Sequence, residues 1–378
     1  DKYAPFVDGC GSRGDLNYLI GELIAELNIG HTYIYGGDYG DGGSFVPTGL
    51  LGCSFTPDKD GEYYRITNIV PGVSWDPAYR SPLTEPGVSV NEGDYLIAID
   101  GVEVKQGDNV YAHLVDKAGK MVTLTTNSKA SAKGAVTNRL RTLRGEHGLR
   151  YRAWVDGNLA YVTAKTDGRI GYLHLPNMMD AGLVEFGRSW YPQTGKQAII
   201  LDERYNGGGF VGDMIIDRLE RELWAMTIPR EGQAGRNPER VFHGPLVILI
   251  NEDTGSNGEF FAEAIKRKNL ATVMGVRTWG GSIGIEPHQG LVDGATTTPP
   301  QFGLYGLDGT WPIEGWGVEP DIIVMNMPAD VVAGKDTQLD TAIEFLLKQL
   351  DESGGKWSIP EAPAYPDKSK PSMSKVNQ

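Results

Sequence analysis

The sequence is poor in cysteine and has no long apolar run. Its two cysteines, Cys10 and Cys53, are too few for a disulfide framework and match no zinc-binding spacing. We expect them to be buried small hydrophobic side chains or to form a single bridge. No apolar stretch approaches the roughly 18 residues of a membrane span, and no basic-then-apolar signal opens the chain. A membrane partner is therefore not expected.

Basic residues are also few relative to acidic ones. The 378 residues include 49 acidic and 35 basic side chains, which gives a net charge of −14. This balance disfavours nucleic acid and anionic lipid as partners and would attract cationic peptides. Because the chain starts at Asp1 rather than methionine, we expect a processed form or a fragment. We expect a cytoplasmic protein, with export as the alternative because such a piece would lack its signal.

The length predicts about two or three domains. By residue pattern the segments are an N-terminal half-domain (1–45), a small β-rich domain (46–128), an α/β domain (129–350) and a proline-rich tail (351–378). The exit of the small domain is predicted at the polar stretch 127–134. In the N-terminal segment we predict a helix over 15–28, with Asp15 as N-cap and Gly30 as C-terminal cap. His31 follows this helix directly.

The α/β domain repeats a strand-then-helix pattern. Apolar strands are predicted over 197–202, 245–250 and 271–276, with amphipathic helical stripes between them. Successive β-α-β units predict a mostly parallel sheet with helices packed on it. Sites in such sheets lie beyond the carboxyl ends of the strands. The loops 203–209 and 251–256 are therefore predicted to share one edge of the sheet.

Ser256 stands between an apolar strand and a helix. The first N–H groups of a helix lack internal partners and its dipole is positive there, so negative charge developing beside this serine would be stabilised. These surroundings suit a nucleophilic serine, although an N-cap serine is the alternative. The three glycines at 207–209 let bare N–H groups approach a ligand or simply form a tight turn. With the N–H of Asn257 they would complete an oxyanion hole.

Other catalytic motifs are absent. The three glycines have no lysine after them, so they do not match the phosphate-binding loop, and the metalloprotease spacing His-Glu-x-x-His is missing. The α/β-hydrolase motif Gly-x-Ser-x-Gly would need glycine at Thr254. Apart from His31, the histidines have no motif around them and are expected to be surface or structural residues; they are His113, His147, His174, His243 and His288.

Motifs along the chain carry a family resemblance. They are Arg-Tyr-Asn-Gly-Gly-Gly at 204–209, Thr-Gly-Ser at 254–256 and Gly-Val-Glu-Pro-Asp at 317–321. Together they resemble peptidase family S41, the tail-specific and tricorn-type serine proteases. The resemblance implies an α/β catalytic domain of the crotonase or ClpP-like fold. The small domain resembles a PDZ domain, whose run 90–101 is the most typical and whose carboxylate-binding loop would be Gly49, Leu50, Leu51 and Gly52.

A single position indicates the tricorn branch. Tail-processing members carry a catalytic lysine in Thr-aromatic-Gly-Lys, whereas Thr278-Trp279-Gly280 is followed here by Gly281. Tricorn-type members instead use a histidine from an N-terminal half-domain and a glutamate near the end of the catalytic domain. The runs 27–31 and 311–315 match both motifs. The pattern departs at Gly30, where the branch has a serine that bridges the histidine to the glutamate.

The resemblance implies the roles of the site residues. Ser256 would be the nucleophile, His31 the general base and Glu314 the group that orients the imidazolium. The oxyanion would be held by the N–H groups of Asn257 and of Gly208 or Gly209. With glycine at 30, we expect Glu314 to contact His31 directly or through water.

We therefore predict a serine endopeptidase that cleaves peptides or unfolded polypeptides through an acyl-enzyme on Ser256. We expect no cofactor and no metal, and neither nucleic acid nor a membrane as partner. A homo-oligomer is expected because tricorn-type relatives assemble as closed oligomers; the sequence has no propeller repeats of the kind those relatives carry. The alternative function is a non-catalytic module on the same fold that binds a ligand or a peptide C-terminus.

Overall fold

The computed structural model describes residues 1–40, 46–59, 61–73, 75–286 and 290–364. The chain forms two compact units, one of Asp1–Asp38 with Tyr161–Gln378 and the other of Tyr39–Ala160. The end of the predicted half-domain (41–45), His288 and most of the predicted tail (365–378) lie outside the described residues. Within the described ranges, none of the helices has the length and apolarity needed to cross a membrane.

The elements are named here in chain order. The helices are α1 (Arg13–Ala25), α2 (His147–Lys165), α3 (Asp180–Trp190), α4 (Gly212–Leu219), α5 (Asn257–Arg267), α6 (Pro328–Val332) and α7 (Thr337–Asp351). Short 3-10 helices lie at Ala4–Gly9, Pro77–Tyr79, Pro82–Thr84, Val110–Leu114 and Tyr191–Gln193. The strands are β1 (Ile34–Tyr35), β2 (Ser54–Pro57), β3 (Tyr64–Thr67), β4 (Tyr95–Ile99), β5 (Val102–Glu103), β6 (Met121–Asn127), β7 (Val136–Arg141), β8 (Ile170–His174), β9 (Ala198–Asp202), β10 (Ala225–Thr227), β11 (Gly235–Asn237), β12 (Leu246–Ile250), β13 (Thr272–Gly275), β14 (Gly284–Ile285), β15 (Thr296–Thr297), β16 (Pro300–Phe302) and β17 (Ile322–Ile323).

The larger unit is built on a parallel sheet of five strands in the order β17-β13-β12-β9-β8. Every residue of β8, β9 and β12 is buried, as expected of parallel strands covered on both faces. The predicted α/β fold with a parallel sheet is therefore confirmed. Because β9 and β12 are neighbours, the loops that follow them leave the same edge of the sheet.

Helices cover this sheet, and their apolar side chains form a hydrophobic core with those of the strands. Side chains of α3, α4 and α5, among them Trp190, Ile215 and Phe261, pack in one hydrophobic cluster with strand residues. Helix α7 contacts β9 and β12. Its N-cap, Asp336, also accepts two hydrogen bonds of 2.9 Å from the buried guanidinium of Arg204, directly after β9. The charge pair ties α7 to the loop edge of the sheet.

The N-terminal segment belongs to the larger unit. The prediction of a helix over 15–28 was wrong at both ends, because Ser12 is the N-cap of α1 and the helix ends at Ala25. Asn28 then takes a left-handed conformation (φ 53°), which asparagine tolerates better than most residues and which turns the chain before Gly30. Strand β1 pairs antiparallel with β15, and this pairing anchors the segment that contains His31.

The smaller unit is a mostly antiparallel sheet in the order β2-β3-β4-β6-β7, with β5 beside β4. The predicted exit at 127–134 is the turn between β6 and β7, which pair from Met121 with Arg141 to Thr126 with Val136. The sheet thus continues beyond residue 128, and the predicted exit was wrong. Small polar residues form hairpin turns as readily as domain linkers, so the composition did not distinguish the two. The predicted β-rich domain is confirmed.

Both cysteines are free, so the alternative of a single bridge was wrong. Cys53 is buried in the core of the smaller unit, and burial raises the pKa of its thiol to about 12. Cys10 is partly exposed. Neither thiol takes part in the site described next.

Candidate active site

Ser256 lies on a strained turn between β12 and α5. Its backbone has φ 52° and ψ −123°, a left-handed conformation that costs a residue with a side chain on the order of 1–3 kcal/mol. Its N–H donates to Glu259 Oε2 at 3.0 Å, which helps to hold the turn. The serine is thus placed at the positive end of α5, at the carboxyl edge of the parallel sheet.

The glycine loop after β9 lies against this serine. At Gly208 (φ 94°) a Cβ atom would lie 2.6 Å from Ser256 Cβ and 2.8 Å from the backbone nitrogen of Asn257. Such contacts are too short for any side chain, so only glycine allows this approach. Of the predicted site residues, the structure therefore brings Ser256, Asn257 and Gly208 together.

The backbone N–H groups near Ser256 differ in whether they already have a hydrogen-bond acceptor. The N–H of Gly208 donates to Asn206 Oδ1 at 3.0 Å and is already satisfied. Within the described residues, neither the N–H of Asn257 nor that of Gly209 has an acceptor. These two amides, rather than that of Gly208, are the ones available to a developing oxyanion.

Hydrogen bonds join the loop after β9 to the loop after β12. Gly255 N–H donates to Asn206 O at 2.9 Å, and Thr254 Oγ1 donates to Glu203 O at 3.0 Å. Asn257 Oδ1 accepts from Gly212 N–H at 2.9 Å. The serine and the glycines are consequently fixed to one frame, as preorganised donors require.

His31 is oriented by a backbone carbonyl. Its Nδ1 lies 2.7 Å from Ile283 O. Because a carbonyl oxygen can only accept, Nδ1 carries a hydrogen, and in the neutral imidazole the lone pair is on Nε2. The ring also makes edge contacts with Tyr33 and Trp279, at centroid distances of 5.8 and 5.3 Å. This arrangement leaves Nε2 as the basic atom of the imidazole.

Glu314 reaches His31 through the backbone of Ile283 and not directly. Its Oε2 accepts from the N–H groups of Ser282 and Ile283, both at 2.8 Å, and from Ser282 Oγ at 3.2 Å. The carbonyl of the same Ile283 accepts from His31. The carboxylate thus fixes the peptide segment that fixes the imidazole, and no bridging serine at position 30 is used.

Trp279 lies between the histidine and the serine loop. Besides the contact of its ring with His31, its backbone N–H donates to Thr254 O at 3.0 Å. A Cβ at Gly255, next to Ser256, would lie 2.9 Å from its indole ring. No hydrogen bond joins His31 to Ser256 among the described residues; catalytic hydrogen bonds in ligand-free sites are often long.

Glu259 was not predicted, yet it is central to the site. Its buried carboxylate accepts from Ser256 N–H, Gly280 N–H, Gly281 N–H and Thr278 Oγ1. Burial raises the pKa of this carboxyl, and the hydrogen bonds oppose that rise. The spacing Ser-x-x-Glu at 256–259 is that of a capping box and could have identified it. By contrast, no sequence signal marks the carbonyl of Ile283.

Glu203 is a second buried acid at this edge of the sheet. It is fully buried, and neither carboxyl oxygen has a hydrogen-bond partner among the described residues. Its pKa lies well above the usual range, chiefly because of burial and also because of the nearby charges of Asp202 and Glu259. Burial therefore shifts the balance of this carboxyl towards its neutral form relative to an exposed glutamate.

The predicted carboxylate-binding loop of the smaller unit is occupied by internal contacts. The N–H groups of Gly49, Leu50 and Gly52 donate to Leu114 O, Leu143 O and Glu146 Oε1. Leu51 and Gly52 are buried. A peptide carboxylate would have to displace these acceptors, so this geometry gives the predicted role no support.

Comparison with known proteins follows the same division of the chain. The model of the tricorn protease PDZ domain matches residues 49–142, and that of peptidase family S41 matches residues 169–324. The chain belongs to peptidase family S41. No cluster of three or more metal-binding side chains occurs within the described parts of this S41 chain.

Similar proteins are tricorn proteases and their homologues. A putative tricorn-like protease C-terminal subunit of Sulfurisphaera tokodaii is 37% identical over 93% of this chain and 40% of its own length. The tricorn protease of Thermoplasma acidophilum is 35% identical over 93% of this chain and 32% of its own length. A crystal structure of the tricorn protease superposes with a TM-score of 0.85 at 34% identity, over 93% of this chain and 34% of that one. The chain therefore spans well under half the length of these relatives.

Proposed function

We propose that this chain is a serine peptidase that forms an acyl-enzyme on Ser256. The carrying observation is the placement of Ser256 on a strained turn at the start of α5, beside Gly208 and two amides without acceptors. A nucleophile in that position attacks a carbonyl whose oxygen faces the N–H groups of Asn257 and Gly209. Similarity to tricorn proteases supports the same activity.

In the proposed reaction His31 acts as base and then as acid. Nε2 takes the proton of Ser256 Oγ as the oxygen bonds to the scissile carbonyl carbon, and returns it to the amine that leaves. Water then attacks the ester with His31 again as base, which releases the acid product and restores the serine. Closure of the gap between His31 and Ser256 accompanies substrate binding.

Glu314 acts at a distance in this scheme. It holds the backbone N–H of Ile283, and the carbonyl of the same residue keeps a hydrogen of His31 on Nδ1. Its charge also favours the imidazolium that forms during attack.

We propose peptides and unfolded polypeptides as substrates, internal bonds as the cleavage sites, and a homo-oligomer as the working form. Cleavage of an internally quenched peptide with both ends blocked tests the endopeptidase mode.

Labelling with a fluorophosphonate tests the nucleophile and its base. We expect one adduct per chain, on Ser256 by peptide mass spectrometry, and none in Ser256→Ala. His31→Ala should slow labelling by roughly 1,000-fold or more, since an unassisted serine is a weak nucleophile. His147→Ala, at an exposed position in α2, is the matched control and should label at the normal rate.

Two outcomes would contradict the proposal. An adduct on another serine would move the nucleophile elsewhere. No adduct on a folded chain, shown by a normal circular dichroism spectrum, would favour the non-catalytic binding module.

A further inference from the structure

The smaller unit has a groove of about 720 Å³ beside β7. One wall is formed by β7 and the residues after it, and the other by the segment 77–88. Apolar groups line much of it, including Pro82, Val88, Met121 and Leu140. The arginines at its surface are Arg80, Arg139, Arg141 and Arg144. We call this feature the arginine groove.

Among the described residues, three of these four arginines have no acidic partner. Arg80 lies 3.6 Å from Glu85, which is the one acidic side chain among the described residues that line the groove. For Arg139, Arg141 and Arg144, no carboxylate lies within ion-pair distance in the described part of the chain. In a chain of net charge −14, three cations beside one groove without counter-charges are unexpected.

Two of the guanidinium groups converge on a single turn. Arg141 Nη1 donates to Gly119 O at 2.7 Å. A Cβ at Gly119 would lie 3.0 Å from Arg144 Nε, so the second guanidinium lies against the same residue. Both cations therefore lie beside Gly119, and an anion bound there would offset their mutual repulsion. Guanidinium forks pair especially well with carboxylates.

The backbone beside these arginines is also available. In the described part of the chain, strand β7 pairs with β6 alone and forms one edge of the sheet. Arg139 and Arg141 alternate with the buried side chains of Asn138 and Leu140 along it. An edge strand can accept an extended peptide as a further strand. A lone inorganic anion would use neither this edge nor the apolar lining.

We propose that the arginine groove binds an extended peptide segment in which acidic and apolar side chains alternate. Carboxylates of the segment would pair with Arg139 and Arg144, apolar side chains would cover Val88 and Met121, and its backbone would pair with β7. The segment needs no free C-terminus. The proposal is independent of the catalytic proposal and of the loop Gly49–Gly52, because it concerns a different surface.

Fluorescence anisotropy with the full chain carrying Ser256→Ala tests this binding without cleavage. The probe is a fluorescein-labelled peptide Glu-Leu-Glu-Leu-Glu-Leu with a C-terminal amide. We expect saturable binding that weakens with salt, and at least tenfold weaker binding of the matching Gln-Leu peptide. A single-stranded oligonucleotide that competes as well as the peptide would overturn the proposal, since it would indicate general anion binding.

Paired variants locate the site. Arg139→Gln/Arg144→Gln should weaken binding at least tenfold, since each substitution removes a charged hydrogen bond to the peptide. Lys129→Gln/Lys133→Gln removes the same charge from the exposed β6–β7 turn, outside the groove, and should change binding less than about twofold. Equal loss in both pairs would overturn the proposal.

A charge swap separates binding from folding. Arg139→Glu/Arg144→Glu should no longer bind the acidic peptide and should bind a Lys-Leu peptide of the same length, because complementary charges set specificity. A variant that had merely unfolded would not bind the Lys-Leu peptide. Failure to bind the basic peptide in a variant with a normal unfolding curve would count against the proposed contacts.

Discussion

The imidazole of His31 is held by the backbone carbonyl of Ile283. Glu314 therefore differs from the acid of a serine-protease triad, which binds the histidine directly. In such a triad, replacing the acid by its amide lowers kcat about 10⁴-fold, because the histidine adopts the wrong tautomer. Here the Ile283 carbonyl selects the tautomer, and an amide at position 314 can still accept from Ile283 N–H. In the proposed mechanism Glu314 would contribute mainly its charge and the position of the Ile283 backbone.

We therefore expect Glu314→Gln to be a mild variant. Its kcat/KM should fall roughly tenfold, far less than in the triad case, because only the charge near the imidazolium is lost. Initial rates on a quenched peptide across pH would measure this. Glu319→Gln, exposed and close in sequence, is the control and should behave as the unsubstituted chain. A loss comparable to that of His31→Ala would mean that Glu314 contacts the imidazole directly during catalysis.

Single residues differed in how far sequence could reveal them. Ser256 and Gly208 could be predicted together because a strand-to-helix turn and a glycine loop each have a recognisable pattern. Ile283 could not, since it acts through its carbonyl and any residue type has one. The division of amides between Gly208 and Gly209 was equally hidden, because it depends on the side chain of Asn206.

At the scale of elements, Glu259 connects helix α5 to the segment that orients the histidine. One carboxyl oxygen binds Ser256 N–H and Gly281 N–H, and the other binds Gly280 N–H and Thr278 Oγ1. The same segment continues through Ser282 and Ile283 to His31. In the proposed mechanism Glu259 is thus a positioning residue that sets Ser256 relative to His31.

We expect Glu259→Gln to impair acylation more than binding. The amide group would face at least one backbone N–H that needs an acceptor, which costs about 1–3 kcal/mol of unfolding free energy. A displaced nucleophile should lower the maximal rate of fluorophosphonate labelling roughly tenfold to hundredfold, with the half-saturating probe concentration unchanged. Rates measured against probe concentration, below the unfolding temperature, separate the two effects.

Glu263→Gln provides the matched change on the same helix. Glu263 pairs with Arg267 at 2.7 Å near the surface, and such pairs contribute less than about 1 kcal/mol. It should label normally. If both variants label normally, Glu259 would be a structural residue without a positioning role.

Elements were predicted most accurately where their pattern was strongest. The apolar runs at 197–202, 245–250 and 271–276 became β9, β12 and β13 with no end shifted by more than one residue. Full burial makes such strands apolar throughout, so their limits are visible. The turn at 127–134 was misassigned because its composition does not reveal whether the next strand returns to the same sheet.

At the scale of the whole molecule, the buried acid Glu203 should make stability depend on pH. Its pKa is raised in the folded protein, so folding favours the protonated form. The contribution is complete below the unfolded pKa of about 4.3 and is lost as pH rises towards the folded value. Glutamine at this position has a similar shape and cannot ionise.

We therefore expect Glu203→Gln to gain stability over the unsubstituted chain as pH rises. Near pH 4 the two unfolding free energies should be similar, and their difference should then grow by up to about 1.4 kcal/mol per pH unit. Urea unfolding between pH 4 and 8 measures this, and comparison at each pH cancels the other titrating groups. Glu252→Gln, exposed in the serine loop, should give a constant difference near zero. Parallel curves for Glu203→Gln would mean that this carboxyl ionises in the folded chain as freely as in the unfolded one, with water or a rearranged donor reaching it at the edge of the sheet.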